Sequence, residues 1–166
     1  MSSWGDRAGP MAEGAVIVAI DGSDAALQAA RAGLAIVRPA ADATDADVVI
    51  VTVVEPSDGA LPVSGFAGSV MSPQDEADEN EARTAEATAH LDAAAAALGL
   101  RADQTLLLHG VPGMAICDHA AERSARAIVI GSRGRGRIKR ALLGSVSDYV
   151  VRNAPCTVVI TGPPET

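Results

Sequence analysis

Hydrophobic residues occur along this chain in short continuous runs and do not alternate with polar residues. The run from Ala15 to Ile20 is apolar throughout, and the run from Asp47 to Val54 is apolar after its first residue except at Thr52. Such runs are typical of strands covered on both faces, as in a parallel sheet with helices on either side. Three further strands are predicted at Gln104 to His109, Arg126 to Ile130 and Cys156 to Thr161.

Capping residues mark the helices that connect these strands. Ser72 and Pro73 form one such start, because serine caps a helix and proline suits its first turn, and Gly99 ends that helix. The resulting alternation of strand and helix predicts an α/β fold. The predicted helices run from Ser23 or Asp24 to about Val37, from Pro73 to about Leu98, from Gly110-Val111-Pro112 to near Ser124, and onward from Gly144-Ser145.

Two segments lack this pattern. Residues 1–13 contain no hydrophobic signal-peptide region, and we expect a flexible N-terminal extension followed by a single domain at residues 14–162. Residues 57–71 contain four glycines or prolines and are expected to form a surface loop. No apolar run reaches the roughly 18 residues that span a bilayer. We therefore expect a cytoplasmic protein with no membrane partner.

The composition favours a core of aliphatic side chains. Hydrophobic residues make up 48% of the 166 positions and aromatic residues only 2%, so alanine, valine, isoleucine and leucine must fill the interior. Cys117 and Cys156 lack metal-like or framework-like spacing and are expected to be small core residues. The three histidines, His90, His109 and His119, form no metal-binding pair, and no metal site is predicted.

Positive charge is concentrated in one stretch of an acidic protein. The formal net charge is -8, which disfavours nucleic acid as a partner. Five of the 13 lysines and arginines nevertheless lie between Gly131 and Leu143, where an even distribution would place about one. The stretch is either a solvated charged loop or part of an anion site.

The residues around this basic loop favour the anion site. A strand precedes it, and Gly144 and Ser145 begin a helix after it, so main-chain amides and the positive end of a helix dipole meet there. Gly144 has no side chain to block an approaching phosphate. The amides of Ser145 and Val146 and the hydroxyls of Ser145 and Ser147 are the expected donors, although Ser145 can equally cap the helix.

A carboxylate is expected near the same place. Asp21, Val53 and Gly131 each stand at the carboxyl end of a predicted strand, where open parallel sheets bind ligands. Asp21 would repel a phosphate, but it fits ribose hydroxyls or a bound Mg²⁺. The alternative is that Asp21 only forms the turn before the first helix.

Two common phosphate-binding motifs are absent. The chain has no Gly-x-x-x-x-Gly-Lys-[Ser/Thr] sequence. Gly131 and Gly134 follow the fourth strand and not the first, which excludes the dinucleotide fingerprint.

The glycine spacing resembles that of the universal stress protein family. Two residues separate Gly131 from Gly134, nine separate Gly134 from Gly144, and Ser145 follows, which is similar to the Gly-x2-Gly-x9-Gly-[Ser/Thr] pattern of the ATP-binding members. The resemblance covers about residues 14–161. It extends to Val18-Ala19-Ile20-Asp21-Gly22-Ser23, Val53-Val54-Glu55, Gly110-Val111-Pro112 and Ile128-Val129-Ile130-Gly131.

This resemblance implies a Rossmann-like three-layer sandwich, in which a five-stranded parallel sheet of order 3-2-1-4-5 carries helices on both faces. It implies a bound adenine nucleotide, either ATP with or without Mg²⁺ or alternatively AMP or cyclic AMP. Asp21 would face the ribose and the Val53 backbone the adenine. The phosphates would lie among Gly131, Arg133, Gly134, Gly144, Ser145, Val146 and Ser147.

The resemblance also implies a homodimer, formed by pairing of the last strands. That assembly would cover the apolar edge of the strand that begins at Cys156. This chain departs from the family at Thr157, where proline is frequent, so the dimer edge can differ.

The implied function is an ATP-binding regulatory protein of the stress response, which acts as a ligand-controlled switch and not as a fast enzyme. No positioned base or nucleophile accompanies the loop, and Ser145 has no evident histidine partner. The alternatives are a slow ATPase or autophosphorylating protein, and a dimeric scaffold with a vestigial nucleotide site. An enzyme that cleaves ATP between its α and β phosphates is disfavoured, because Asp21-Gly22-Ser23-Asp24 is too short and acidic for a phosphate loop.

Overall fold

The computed structural model describes residues 14–37, 48–56, 73–132 and 143–162. The expected extension at 1–13, the expected loop at 57–71 and the loop residues Arg133 and Gly134 lie outside these ranges. The described elements are β1 (Val16–Ala19), α1 (Asp24–Val37), β2 (Val48–Val54), α2 (Pro73–Leu98), β3 (Thr105–His109), α3 (Pro112–Glu122), β4 (Ala127–Gly131), α4 (Ser145–Asn153) and β5 (Thr157–Thr161).

The five strands form one parallel sheet of order β3-β2-β1-β4-β5, which confirms the 3-2-1-4-5 order implied by the resemblance. β1 is the central strand, and its Val18 lies between Ile50 of β2 and Val129 of β4. All four residues of β1 are buried. The continuous apolar runs in the sequence therefore correspond to strands that are covered on both faces.

Helices cover both faces of the sheet. Successive residues of a strand point to opposite faces, so β1 contributes Val16 and Val18 to one core and Ile17 and Ala19 to the other. The first core is closed by α1 and α2, which contribute Ala26, Ala30, Leu34, Leu91, Ala94 and Ala95. The second is closed by α3 and α4, which contribute Ile116, Cys117, Ala120 and Val150.

The prediction that the third strand begins at Gln104 is wrong by one residue. A 3-10 turn at Ala102–Gln104 precedes β3, and the side chain of Gln104 is buried beneath the sheet edge. Its Nε2 donates to the carbonyl of Val48 at 3.1 Å, and its Oε1 accepts from the amide of Arg101 at 2.9 Å. These hydrogen bonds allow a polar residue to occupy the core, a position that apolar patterning does not reveal.

Both cysteines are free thiols in the core shared by α3 and α4. Burial raises the pKa of the Cys117 thiol, and the neighbouring Asp118 and Cys156 act in the same direction. Burial likewise raises the pKa of Cys156. Thiols of this kind are poor nucleophiles, in agreement with the prediction that they are small core residues.

Candidate functional site

A cavity of about 760 Å³ lies at the edge of the sheet where β1, β2 and β4 end. The strand order reverses at this edge, and open parallel sheets bind ligands at such a point. The volume falls within the roughly 300–1,000 Å³ of small-molecule sites. Seven of the expected site residues line the cavity: Asp21, Val53, Gly131, Gly144, Ser145, Val146 and Ser147. The other two, Arg133 and Gly134, lie outside the described residues.

Among the described residues, hydrogen-bond donors reach only one carboxylate oxygen of Asp21. Oδ1 accepts hydrogen bonds from the amide of Ser23 at 3.0 Å and from its hydroxyl at 2.6 Å. The Ser23 hydroxyl in turn accepts from the amide of Ala26 and so caps α1. Oδ2 is covered, and no described residue donates to it. The role of turn-former therefore accounts for Oδ1, whereas Oδ2 requires a donor from elsewhere.

The backbone of Val53 is open towards the cavity because β2 extends beyond β1. Ala19, the last residue of β1, pairs with Val51, and the carbonyl of Val51 accepts from the amide of Ile20 at 3.0 Å. The carbonyl of Ile20 accepts instead from the hydroxyl of Thr52 at 2.8 Å. Residues two apart in a strand direct their polar groups to the same side. Val53 therefore turns one amide donor and one carbonyl acceptor towards the space that β1 leaves.

Helix α4 begins at the opposite side of the cavity. Its N-cap residue is Gly144, and no described side chain caps the helix. The alternative prediction that Ser145 caps the helix is therefore wrong by one position. The amides of Ser145, Val146 and Ser147 belong to the first turn and have no acceptor within the helix. Three donors and the positive end of the helix dipole thus face the cavity, which is the arrangement that binds anions.

The hydroxyl of Ser147 has a structural role, which differs from the expected direct donation to a phosphate. The residue is buried, and its Oγ bonds the carbonyl of Ser132 at 3.1 Å and the carbonyl of Gly144 at 3.0 Å. A hydroxyl has one proton to donate, and that proton is directed to the main chain. The contribution of Ser147 to a ligand is therefore its backbone amide.

Helix α2 supplies a wall of the cavity that the sequence analysis did not predict. Arg83, Glu86, Ala87 and His90 line it, and their spacing places them on one helix face. The guanidinium of Arg83 forms an ion pair with Glu79 one turn earlier. The sequence carries one signal for this wall, since the first aliphatic side chain of α2 that is larger than alanine is Leu91, in the second half of the helix. The earlier turns of the same helix line the cavity with Arg83, Glu86 and Ala87.

The described residues contain no group of three or more metal-ligating side chains in a suitable arrangement. Among the helices of the described ranges, none combines the length and the apolar character that a bilayer crossing requires.

A doubly wound α/β sheet with a cavity at its switch point defines the Rossmann-like class, and comparison with known proteins narrows it. The family model of universal stress proteins matches residues 14–162. A universal stress protein of Methanocaldococcus jannaschii is 31% identical over 151 residues, which cover 90% of this chain and 82% of the relative. Another, from Thermus aquaticus, is 32% identical over 145 residues, which cover 87% and 96%. This chain belongs to the universal stress protein family.

Solved structures share this fold. UspA from Lactobacillus plantarum superposes with a TM-score of 0.66 at 22% identity, covering 90% of this chain and 97% of its own. A universal stress protein in complex with cAMP superposes with a TM-score of 0.52 at 26% identity, covering 90% and 96%.

Proposed function

We propose that this chain binds an adenine nucleotide, in the first instance ATP, and acts as a ligand-controlled regulatory protein in a stress response. One observation carries the proposal. Within the part of the chain that the structure describes, three chemically different groups surround a single cavity: a carboxylate oxygen without a donor, an open strand edge and an uncapped helix N-terminus. A nucleotide is a ligand that needs all three.

Each group matches one part of the nucleotide. Ribose hydroxyls donate to Oδ2 of Asp21, and the Val53 backbone accepts from the amino group of adenine and donates to its ring nitrogen. The phosphates accept from the amides of Ser145, Val146 and Ser147, with Gly131 beside them. Arg133 and Gly134 are assigned to the phosphates by the resemblance alone.

The related protein in complex with cAMP supports an adenine nucleotide as the class of ligand. Because that protein is only 26% identical to this chain, the number of phosphates on the ligand and the involvement of Mg²⁺ have to be measured on this chain. Titration calorimetry with ATP, AMP and cAMP, each with and without Mg²⁺, distinguishes these ligands. Absence of binding by every one of them would refute the proposal.

The Asp21→Asn variant tests the ribose contact. Loss of the charged acceptor should weaken ATP binding by about tenfold or more, since hydrogen bonds to charged groups are worth about 1.5–3 kcal/mol. Asp92→Asn is the matched control, because Asp92 is an exposed carboxylate of α2 that does not line the cavity. Equal losses in the two variants would indicate a general effect of charge and not a contact with the ribose.

We propose in addition that turnover is slow or absent. The hydroxyls of Ser23 and Ser147 are both bonded within the chain, to Asp21 and to main-chain carbonyls, and neither is paired with a histidine in the described residues. Release of phosphate and of pyrophosphate from ATP should remain at background. Steady release of phosphate would favour the slow ATPase. Transfer of a labelled γ-phosphate from ATP to the protein would favour autophosphorylation.

The alternative to a nucleotide-controlled switch is a dimeric scaffold whose nucleotide site is vestigial. Replacement of Gly144 by valine should block the approach of a phosphate to the start of α4. If the stress phenotype survives in Gly144→Val while ATP binding is lost, the nucleotide is not the switch.

The cytoplasmic location also stays a prediction.

We propose that two copies pair through β5. β5 is an edge strand of the described sheet, and Val158, Val159 and Ile160 are only half-buried. Light scattering should give twice the mass of one chain. Val159→Lys should shift this mass towards the monomer, whereas Leu107→Lys should not, although Leu107 of the other edge strand packs on the same core. A wild-type mass equal to one chain would refute the pairing.

A further inference from the structure

The charged side chains of the described lining residues are distributed unevenly around the cavity. Asp21 follows β1, Glu55 follows β2, and Glu86 lies on α2, so three carboxylates line one side. The one cation among the described lining residues is Arg83 on that same side, and it is paired with Glu79. The other side is formed by the first turn of α4, where the helix dipole is positive.

This distribution orients a charged ligand. A phosphate chain is attracted to the amides of α4 and repelled by the carboxylates near Val53, while uncharged donor groups are attracted to the carboxylates. Glu55 and Glu86 are exposed, so their effect is long-range, modest and sensitive to salt.

We propose, on the basis of the nucleotide binding proposed above, that Glu55 and Glu86 together with Asp21 select nucleotides with free ribose hydroxyls. Nucleotides that carry a phosphate on the 3′ oxygen of the ribose, either as a 3′-monoester or as a 3′,5′-cyclic ester, bind more weakly than nucleotides with a phosphate on the 5′ oxygen alone. The preferred ligands are 5′-nucleotides such as ATP and AMP.

Two effects act in the same direction. A 3′-phosphate removes one of the two ribose hydroxyls that can donate to Oδ2 of Asp21, and places another acceptor near this covered oxygen. It also places negative charge beside Glu55 and Glu86. A phosphate on the 5′ side encounters neither penalty, because it extends towards the amides of α4.

Helix α2 supplies one of the carboxylates in this proposal. Glu86 is brought to the cavity by its place on the face that also carries Arg83, Ala87 and His90. Glu81 lies on the same helix and is exposed, but it does not line the cavity. The two glutamates therefore differ in their distance from the ligand and not in their chemistry.

The test measures the dissociation constants of AMP, adenosine 3′,5′-bisphosphate and cAMP for the full chain at low salt. The wild type should bind AMP more tightly than the bisphosphate by about tenfold or more, and more tightly than cAMP. The Glu55→Gln/Glu86→Gln double variant should reduce the preference over the bisphosphate by about three- to tenfold. Glu81→Gln should leave it unchanged, and high salt should reduce the wild-type preference.

Three results would overturn the inference: equal binding of AMP and the bisphosphate by the wild type, the same preference in the double variant as in the wild type, or an equal change in Glu81→Gln. Each of these leaves nucleotide binding itself intact. If none of ATP, AMP and cAMP binds the wild type, the proposed function fails, and the inference fails with it.

Discussion

The carbonyl oxygen of Ser132 accepts a hydrogen bond from the amide of Gly144 at 2.8 Å. Ser132 follows β4 and Gly144 precedes α4, so this bond joins the two ends of the segment 133–143. The hydroxyl of Ser147 reaches the same carbonyl, and the amide of Ser132 donates to the carbonyl of Thr161 at the end of β5. These hydrogen bonds therefore tie the start of α4 to the ends of β4 and β5.

The Ser147→Ala variant tests the contribution of the Ser147 hydroxyl to this connection. Loss of a buried hydroxyl that is bonded to main-chain carbonyls should lower the free energy of unfolding by about 1 kcal/mol, because the amide of Gly144 still satisfies Ser132. Urea denaturation measures this change. The affinity for ATP should fall as well, since the first turn of α4 is less firmly held.

Ser145→Ala is the matched comparison. Ser145 lies two positions earlier in the same turn and is exposed, so its loss should leave the stability nearly unchanged and reduce only the binding of phosphate. A stability loss in Ser145→Ala as large as that in Ser147→Ala would contradict the assignment of roles to the two hydroxyls.

Close packing of α1 on β4 depends on Gly33. A Cβ atom at this position would lie 2.2 Å from Cγ1 of Val129. We expect Gly33→Ala to lower the free energy of unfolding by about 1–3 kcal/mol, even though alanine favours a helix by about 1 kcal/mol. Combination with Val129→Ala removes the clashing methyl group. In a double-mutant cycle followed by denaturation, the double variant should lose less stability than the sum of the two single losses, by about 0.5–3 kcal/mol. Strict additivity would show that α1 moves away from β4 and so relieves the clash in another way.

The elements of the fold were largely predictable from the sequence. Continuous apolar runs such as Ala15 to Ile20 predicted strands buried on both faces, and capping residues such as Ser23 predicted the helix starts. Boundaries differed by a residue or two, as at Gln104, because hydrogen bonds to neighbouring strands decide where a strand begins. The strand order came from the family resemblance, since hydrophobic patterning does not determine which strands are neighbours.

The site was less predictable. Asp21 was identified because it closely follows a predicted strand, and the start of α4 was identified because Gly144 and Ser145 begin a helix after the basic loop. The α2 wall was missed because Glu86 and His90 reach the cavity only through the packing of α2 beside β2. For Ser147, sequence position could not reveal whether the hydroxyl faces a ligand or the main chain.

The open edge at Val53 leads to a further prediction. Its amide points to the side where β1 has ended, whereas the carbonyl of Val54 accepts from the amide of Gly110 on the β3 side at 3.1 Å. Val53→Pro should therefore remove a donor to adenine without breaking the ladder, and weaken ATP binding by about tenfold. Val54→Pro removes a donor to β3 and should cost more stability. Calorimetry and urea denaturation of both variants check this, and normal ATP affinity in Val53→Pro would exclude the adenine contact.

We expect His119 to make the stability depend on pH. The ring is only 6% exposed, and no described residue bonds its Nε2. Burial lowers its pKa below the ordinary value of 6.5; Arg123 also lowers it, and Glu122 opposes the shift. Below this ordinary value the unfolded chain binds a proton that the folded chain does not yet bind. The contribution of the neutral ring is therefore present above pH 6.5 and is lost as the pH falls towards the lowered pKa.

Replacement of His119 by leucine should flatten this dependence. Urea denaturation between pH about 7.5 and about 5 should show a steeper loss of stability in the wild type than in His119→Leu, because the variant has no buried ring to protonate. His109→Gln serves as the control, since it removes an exposed histidine at the end of β3 and should retain the wild-type slope. Parallel pH profiles for the wild type and His119→Leu would assign the acid sensitivity to other groups.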